Sequence, residues 1–214
     1  MKDSILRQLE GLPYFSSADL RAILVPDKTA QVFLYRMAKR GEILKLRRSV
    51  YATRAFISSV RELGEIVAYQ EFLANVLVSP SYISCEYVLA KHELLTEAVT
   101  TITSLTPKRP VLISNALGYF QYRNIANNIL GKFDTINKGR FTVKCASRIQ
   151  ALFDYLYMKK KDLKNISPSI VNELRINAHL LSKRDFAELK ELTARSSSRK
   201  LMKIVKLLEA MYVS

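Results

Sequence analysis

Residues 27–53 restrict the fold of this chain more than any other stretch, because a helical apolar period ends there at a glycine and an extended one begins at once. The segment reads DKTAQVFLYRMAKRGEILKLRRSVYAT. Ala30, Phe33, Leu34 and Met37 recur at helical spacing and make one apolar face. Asp27 or Thr29 offers an oxygen to the unpaired first-turn N–H groups. Gly41, after Lys39 and Arg40, tolerates the left-handed dihedrals that end a helix. Ile43, Leu44 and Leu46, then Val50 and Tyr51, are strand-type residues around a turn at Arg47-Arg48-Ser49.

A helix, a glycine stop and a cation-tipped hairpin, in that order, predict the second half of a winged helix-turn-helix. The preceding residues complete it. Ile5, Leu6 and Leu9 give a first helix over 3–10 that Pro13 breaks. Ser16 or Ser17, with Asp19, starts a second helix packed by Ala18, Leu20, Ile23 and Leu24, and Pro26 stops it. An α-helix fits the major groove, where base edges display distinct donor and acceptor patterns. With the apolar face inward, Lys28, Thr29, Gln31, Val32, Tyr35, Arg36 and Lys39 lie on or near the opposite side. Gln31 can pair with adenine and Arg36 with guanine, while Lys and Tyr side chains hold phosphates. Lys45, Arg47 and Arg48 sit where a hairpin tip meets backbone or minor groove. The same cations also suit a solvated surface helix and an edge hairpin.

Charge agrees with a polyanionic partner. The formal net charge is +15, and a field of that sign favours nucleic acid, an acidic protein or an acidic membrane surface. It is uneven: residues 1–55 hold 11 Lys/Arg against 5 Asp/Glu, residues 56–145 hold 9 against 7, and residues 146–214 hold 14 against 7. Cys85 and Cys145 fit no metal or redox spacing and read as small apolar residues in a reducing compartment. The opening MKDSILRQLEGL carries an acid and too short an apolar run for a signal peptide. A cytoplasmic protein without membrane contact is expected.

Beyond residue 55 the texture changes twice. Residues 58–77 read as one longer helix with Val60, Leu63, Ile66, Val67, Phe72, Leu73 and Val76 as its stripe. Residues 85–94 read as a short helix. Residues 99–105, 109–113, 118–123 and 141–144 are strand-like, with 126–140 a loop or weak strand. From Ser147 the pattern is helical to the end, in segments opened by Ser147, Ser167-Pro168, Ser182 and Ser198. The expected fold class is α+β: a winged helix-turn-helix over 1–55, then a mixed α/β C-terminal domain over 56–214. That domain has a small, mainly antiparallel sheet at about 99–145 and a helical tail at 147–211.

Four stretches of this second part resemble one family. Pro80-Ser81-Tyr82-Ile83-Ser84 with Val88-Leu89-Ala90 and Leu94-Leu95 is similar to its P-x-Y-I-S-x-x-S-A-L-x-x-H-G-L-I segment. Val99-Thr100-Thr101-Ile102-Thr103 before Lys108-Arg109, and Phe120-Gln121-Tyr122-Arg123, resemble its V-T-x-x-T…R…F-x-Y-R strands. Residues 146–157, ASRIQALFDYLY, resemble A-x-P-E-K-A-L-x-D-x-L-Y. With the N-terminal unit, the chain resembles over about residues 5–160 the AbiEi antitoxins of bacterial type IV toxin–antitoxin, or abortive-infection, systems. It departs from them at Ser49, where the wing turn commonly has Gly, at Ser147-Arg148-Ile149 for P-E-K, and at His92-Glu93-Leu94 for H-G-L. The resemblance implies a transcriptional repressor that binds inverted repeats in its own promoter, as a monomer or dimer on double-stranded DNA. It also implies an antitoxin that counteracts a nucleotidyltransferase-like toxin encoded beside it, without a stable complex between the two.

No catalytic motif competes with this reading, and no enzyme activity, cofactor or metal is expected. His92 and His179 lack ligand-spaced partners, and the six glycines make no phosphate loop. Asp154, among Leu152, Phe153 and Tyr155, is expected partly buried against Arg or Lys, in a structural role. Tyr119, Tyr122 and Arg123 suit either stacking on single-stranded RNA or a half-buried strand face. Three alternatives stay open: a protein-interaction module using the basic C-terminal helices, a transcription regulator without antitoxin activity, and RNA binding through the basic ends.

Overall fold

The computed structural model of the chain describes residues 2–23, 27–127 and 129–212, with the side chains at 2–4, 23 and 27–29 outside the description. Capping by Asp27 or Thr29, packing by Ile23 and Leu24, the stop at Pro26 and contacts made by Lys28 and Thr29 therefore lie outside the described residues. The N-terminal unit runs α1 (Lys2–Glu10), β1 (Phe15–Ser16), α2 (Ser17–Ile23), α3 (Asp27–Lys39), β2 (Ile43–Arg47) and β3 (Val50–Thr53). Its strands form an antiparallel sheet in the order β1-β3-β2.

Local chemistry sets each boundary. At the start of α2, the Asp19 amide donates to Ser16 Oγ at 3.1 Å and the Ser16 amide to Asp19 Oδ2 at 2.7 Å, a reciprocal capping box. At the end of α3, the Gly41 amide reaches the Ala38 carbonyl and the Glu42 amide the Met37 carbonyl, both at 3.0 Å. This is a Schellman motif, and Gly41 takes the φ of +73° that it requires. The hairpin turn needs the same backbone region, and Ser49 supplies it at φ +63°. Ile5, Leu9, Phe15, Leu20, Phe33, Met37 and Ile43 are among the residues that close a small separate core, while Ala18, expected inside, is exposed.

Residues 58–77 are two helices, not one: α4 (Arg54–Glu62) and α5 (Ile66–Leu77). Gly64 breaks them with φ +70°, its amide bonded to Arg61 O at 3.0 Å and that of Glu65 to Val60 O at 2.9 Å. The break shifts the phase of the stripe. Val60 and Leu73 are buried as expected, Leu63 and Val67 are exposed, and Tyr69 and Leu77 are buried outside the expected stripe.

The second sheet is larger than expected and begins earlier. It has six strands, β4 (Tyr82–Ile83), β5 (Ile102–Thr106), β6 (Val111–Asn115), β7 (Gly118–Asn124), β8 (Asp134–Lys138) and β9 (Phe141–Cys145), in the order β6-β7-β5-β4-β9-β8. The hairpins β6/β7 and β8/β9 flank a centre in which β5 runs parallel to β7 and β4 parallel to β9. Side chains alternate across a strand, and the register assigns the two faces. Tyr122, opposite Ser104 and Val111, donates to Ala74 O of α5 at 2.8 Å. Thr103 on the other face accepts from the Tyr87 amide of α6 (Glu86–Lys91) at 3.1 Å. Tyr82 reaches α7 (Arg148–Lys159) on that same face. The sheet is thus sandwiched between α5 on one side and α6 with α7 on the other.

α7 is buried along Ile149–Leu156, because α9 (Lys183–Arg195) covers its outer side and α10 (Arg199–Tyr212) packs on α9. α8 (Pro168–Asn172) packs against α10. Serine hydroxyls cap these helices: Ser147 caps α7, Ser167 caps α8 with Pro168 following it, and Ser182 caps α9 in a capping box with Asp185. The N-terminal unit is docked on α5 and the β6 edge. Tyr69 Oη donates to Pro13 O at 2.6 Å, Asn115 Nδ2 to Leu46 O at 2.9 Å, and an Arg47 guanidinium nitrogen to Leu77 O. A bulge between Lys45 and Arg47 accompanies the burial of Leu46, which with Ala52 joins the larger core, not the small one.

Candidate nucleic-acid interface

The outward face of α3 follows from its inward one. Ala30, Phe33, Leu34 and Met37 are buried, so the helical period turns Gln31, Val32, Tyr35, Arg36 and Lys39 to solvent. Two of these are apolar or aromatic, and Tyr35 is 68% and Val32 47% exposed. Exposed apolar groups are common on protein surfaces, and those on a helix can also meet thymine methyl groups and sugar edges in a groove. Among the described residues, the Gln31, Tyr35, Arg36 and Lys39 side chains make no hydrogen bond or ion pair within the chain.

The hairpin brings Lys45 and Arg48 out as exposed cations, with no internal partner among the described residues. Arg47 differs. It was expected at the DNA-facing tip, but its guanidinium bonds the last-turn carbonyl of α5 at Leu77, 30 residues away. One residue of the expected set therefore anchors the hairpin while its neighbour stays free. Nothing local in the sequence distinguishes the two arginines, since the partner carbonyl is set by tertiary docking.

Elsewhere a minority of the cations pair with carboxylates within the chain. Arg123 pairs with Glu86 at 2.8 Å, Arg140 with Glu65 at 2.8 Å, Arg148 with Asp185 at 2.5 Å and Lys190 with Glu209 at 2.6 Å. Glu71, nearly inaccessible, binds Lys91, Lys138 at 2.5 Å and Tyr87 Oη at 2.9 Å. Burial raises its pKa, but the bonds from Lys138 and Lys91 outweigh that and hold the carboxyl below its ordinary value.

Asp154 is fully buried, and its partners are not the expected Arg or Lys. Tyr82 Oη and Ser84 Oγ donate to Oδ2 at 2.9 and 2.6 Å, and Gln150 Nε2 donates to Oδ1 at 2.8 Å. Burial pushes its pKa up to about 6, against the bonds from Ser84, Gln150 and Tyr82 that favour the charged form. The carboxylate ties β4 to α7. His92 and His179 are both exposed. Among the described residues, no group of three His, Cys, Asp or Glu side chains is placed to hold a metal ion. Tyr119, Tyr122 and Arg123 do not make one platform. Tyr122 is buried toward α5, Tyr119 is exposed, and Arg123 is held by Glu86.

No helix among the described residues is long and apolar enough to cross a membrane. Compared with protein-family models and with curated protein sequences, the chain matches none.

Proposed function

We propose that this chain is a winged helix-turn-helix repressor of transcription that binds duplex DNA through α3 and the β2–β3 hairpin. The observation that carries the reading is the cluster of unpartnered groups on one helix and the hairpin that follows it: Gln31, Tyr35, Arg36, Lys39, Lys45 and Arg48 are exposed and unpaired among the described residues. The element order α-β-α-α-β-β and the strand order β1-β3-β2 support that reading. α3 lies in the major groove with Gln31 and Arg36 reading base edges, Val32 and Tyr35 packing on methyl and sugar groups, and Lys39 on phosphate. Lys45 and Arg48 hold the flanking backbone, and Arg47 fixes the hairpin that carries them.

The regulated promoter is the chain's own, with inverted repeats bound by two copies about one helical turn apart. Action as the antitoxin of a type IV system, against a nucleotidyltransferase-like toxin and without a stable complex, rests on the resemblance of residues 80–157 alone. A mobility shift of the full chain on the DNA upstream of its gene tests the DNA reading. Specific binding that survives unrelated competitor DNA, and falls in Arg36→Ala, supports it. Equal binding to every duplex overturns it.

A further inference from the structure

Between the segment that joins β7 to β8, the buried α7 and the covering α9 lies a cleft. Its inner part is a concavity of about 220 Å³. Ile129, Leu130, Phe153 and Leu192 give it apolar walls, Phe153 buried and the other three half-buried. An outer concavity adjoins it, sharing Lys132, Gln150, Leu192 and Arg195 and adding Asp134 and Glu188. The inner volume is below the roughly 300–1,000 Å³ of sites for drug-sized ligands, so it suits a smaller molecule. The wall is held in place on both sides of Lys132. The Gly131 amide donates to Tyr82 Oη at 3.2 Å, and Phe133 stacks on the Tyr82 ring with centroids 5.4 Å apart.

One buried polar side chain opens onto this cleft. Gln150, only 4% exposed, lines both parts of it. Its Nε2 donates to Asp154 Oδ1 at 2.8 Å, and a carboxylate needs a donor, so this bond fixes which way round the amide sits. Oε1 is left as an acceptor, and among the described residues no donor reaches it. Buried acceptors are rarely left unused. A Cβ on Gly131 would run into the same amide, so glycine lets the chain close down on it. At the mouth, Lys132, Asp134 and Glu188 are exposed and have no ion-pair partner among the described residues, whereas Arg195 is paired with Glu191. The cleft therefore offers an apolar end, a deep acceptor, and free charges of both signs at its rim.

We infer that this cleft binds a free α-amino acid with a branched or aromatic apolar side chain. The side chain fills the inner part against Phe153 and Leu192. The ammonium donates to Gln150 Oε1 and faces Glu188, while the carboxylate faces Lys132. Both charges stay near the rim, which keeps the cost of desolvating them low. An uncharged apolar molecule would leave the Gln150 acceptor unanswered, and a dicarboxylate would meet the like charges of Asp134 and Glu188. The cleft lies on the α7 side of the sheet, opposite the α5 side on which the N-terminal unit docks. The inference is therefore independent of the DNA reading.

The test is isothermal titration of the full chain with L-leucine and L-phenylalanine. Saturable one-to-one binding of at least one of them is expected. Isocaproate and isoamylamine keep the apolar chain of leucine and lose one charge each, and each should bind roughly tenfold more weakly or worse. L-alanine keeps both charges, loses the apolar chain and should fall off likewise. Lys132→Gln and Glu188→Gln, both at exposed positions, should each weaken binding several-fold. Leu192→Phe, which fills the inner part, should abolish it. Thermal unfolding of the ligand-free Lys132→Gln and Glu188→Gln proteins should match wild type, so that their loss of binding reports on the cleft and not on the fold. No saturable heat with either amino acid at millimolar concentration overturns the inference. Binding of isocaproate or isoamylamine as tight as that of leucine also overturns it, since the cleft is then a plain acid or amine site. Amino-acid binding that all three variants leave unchanged overturns it too, because the ligand then sits elsewhere.

Discussion

The N-terminal unit and the six-stranded domain use polar residues in opposite ways. In the domain, polar groups turn inward and bind one another: Glu71 holds two lysines and a tyrosine, and Asp154 holds Tyr82, Ser84 and Gln150. Each is fixed by its partners. On α3 and the hairpin, Gln31, Arg36, Lys39, Lys45 and Arg48 are exposed with no partner among the described residues. A buried polar group must find its hydrogen bonds inside the fold, so it serves the fold. An exposed one is available to another molecule. The comparison separates residues by what their loss should harm, stability in one region and binding in the other.

The largest expected effect is on stability, from the domain. Glu71→Ala leaves Lys91, Lys138 and the Tyr87 hydroxyl without their acceptor and should cost about 3 kcal/mol, less than a fully buried pair because both lysines are partly exposed. Urea unfolding measures it, and the folded fraction should bind DNA as before. A comparable effect comes from pH. The Asp154 pKa is raised to about 6 from 3.8, so the folded state holds the proton more tightly than the unfolded one. Stability from this group is therefore greatest at low pH and falls as pH rises from about 4 to 6, by about 3 kcal/mol at most. Asp154→Asn should remove that dependence, read as the wild-type-minus-variant difference across pH 4 to 7.

Smaller effects belong to the N-terminal unit. Gln31→Ala or Arg36→Ala should weaken binding to upstream DNA by roughly 1–3 kcal/mol and relax preference at one base position, with stability changed by less than about 0.5 kcal/mol. If either variant unfolds the chain instead, the comparison breaks. Gly41→Ala, forcing a Cβ into a left-handed position, should destabilise by about 1 kcal/mol and weaken binding through the hairpin it aims. Smallest, Arg48→Ala should lower the salt slope by about 0.9. Arg47→Ala sharpens the contrast between neighbours, since its loss should appear in thermal unfolding before it appears in the slope.

How much of this was legible in the sequence follows from the range of each interaction. α3, its glycine stop and the hairpin were readable because their signals lie within a few residues: an apolar period, Gly41 and a run of strand formers. The exposed face of α3 follows from the same period. β8 was not readable, since Asp134–Lys138 is exposed almost throughout and offers no apolar alternation. Gly64 was visible, yet the apolar residues on both sides concealed that it breaks the helix. The parallel pairs of the second sheet depend on strands far apart in sequence. Asp154 meets Ser84 and Tyr82 from 70 and 72 residues away, so its surroundings could not be deduced from Leu152, Phe153 and Tyr155 beside it. Arg47 and Arg48 look alike in the sequence, and only docking on α5 separates them.

The most direct test of the central claim, that the free face of α3 reads duplex DNA, is the affinity ratio between upstream and unrelated duplexes at two salt concentrations, for wild type and Arg36→Ala. The account predicts a large ratio for the wild type that persists as salt rises, and a reduced ratio for Arg36→Ala with unfolding unchanged. A ratio near one for both proteins, with affinity set by salt alone, would contradict it.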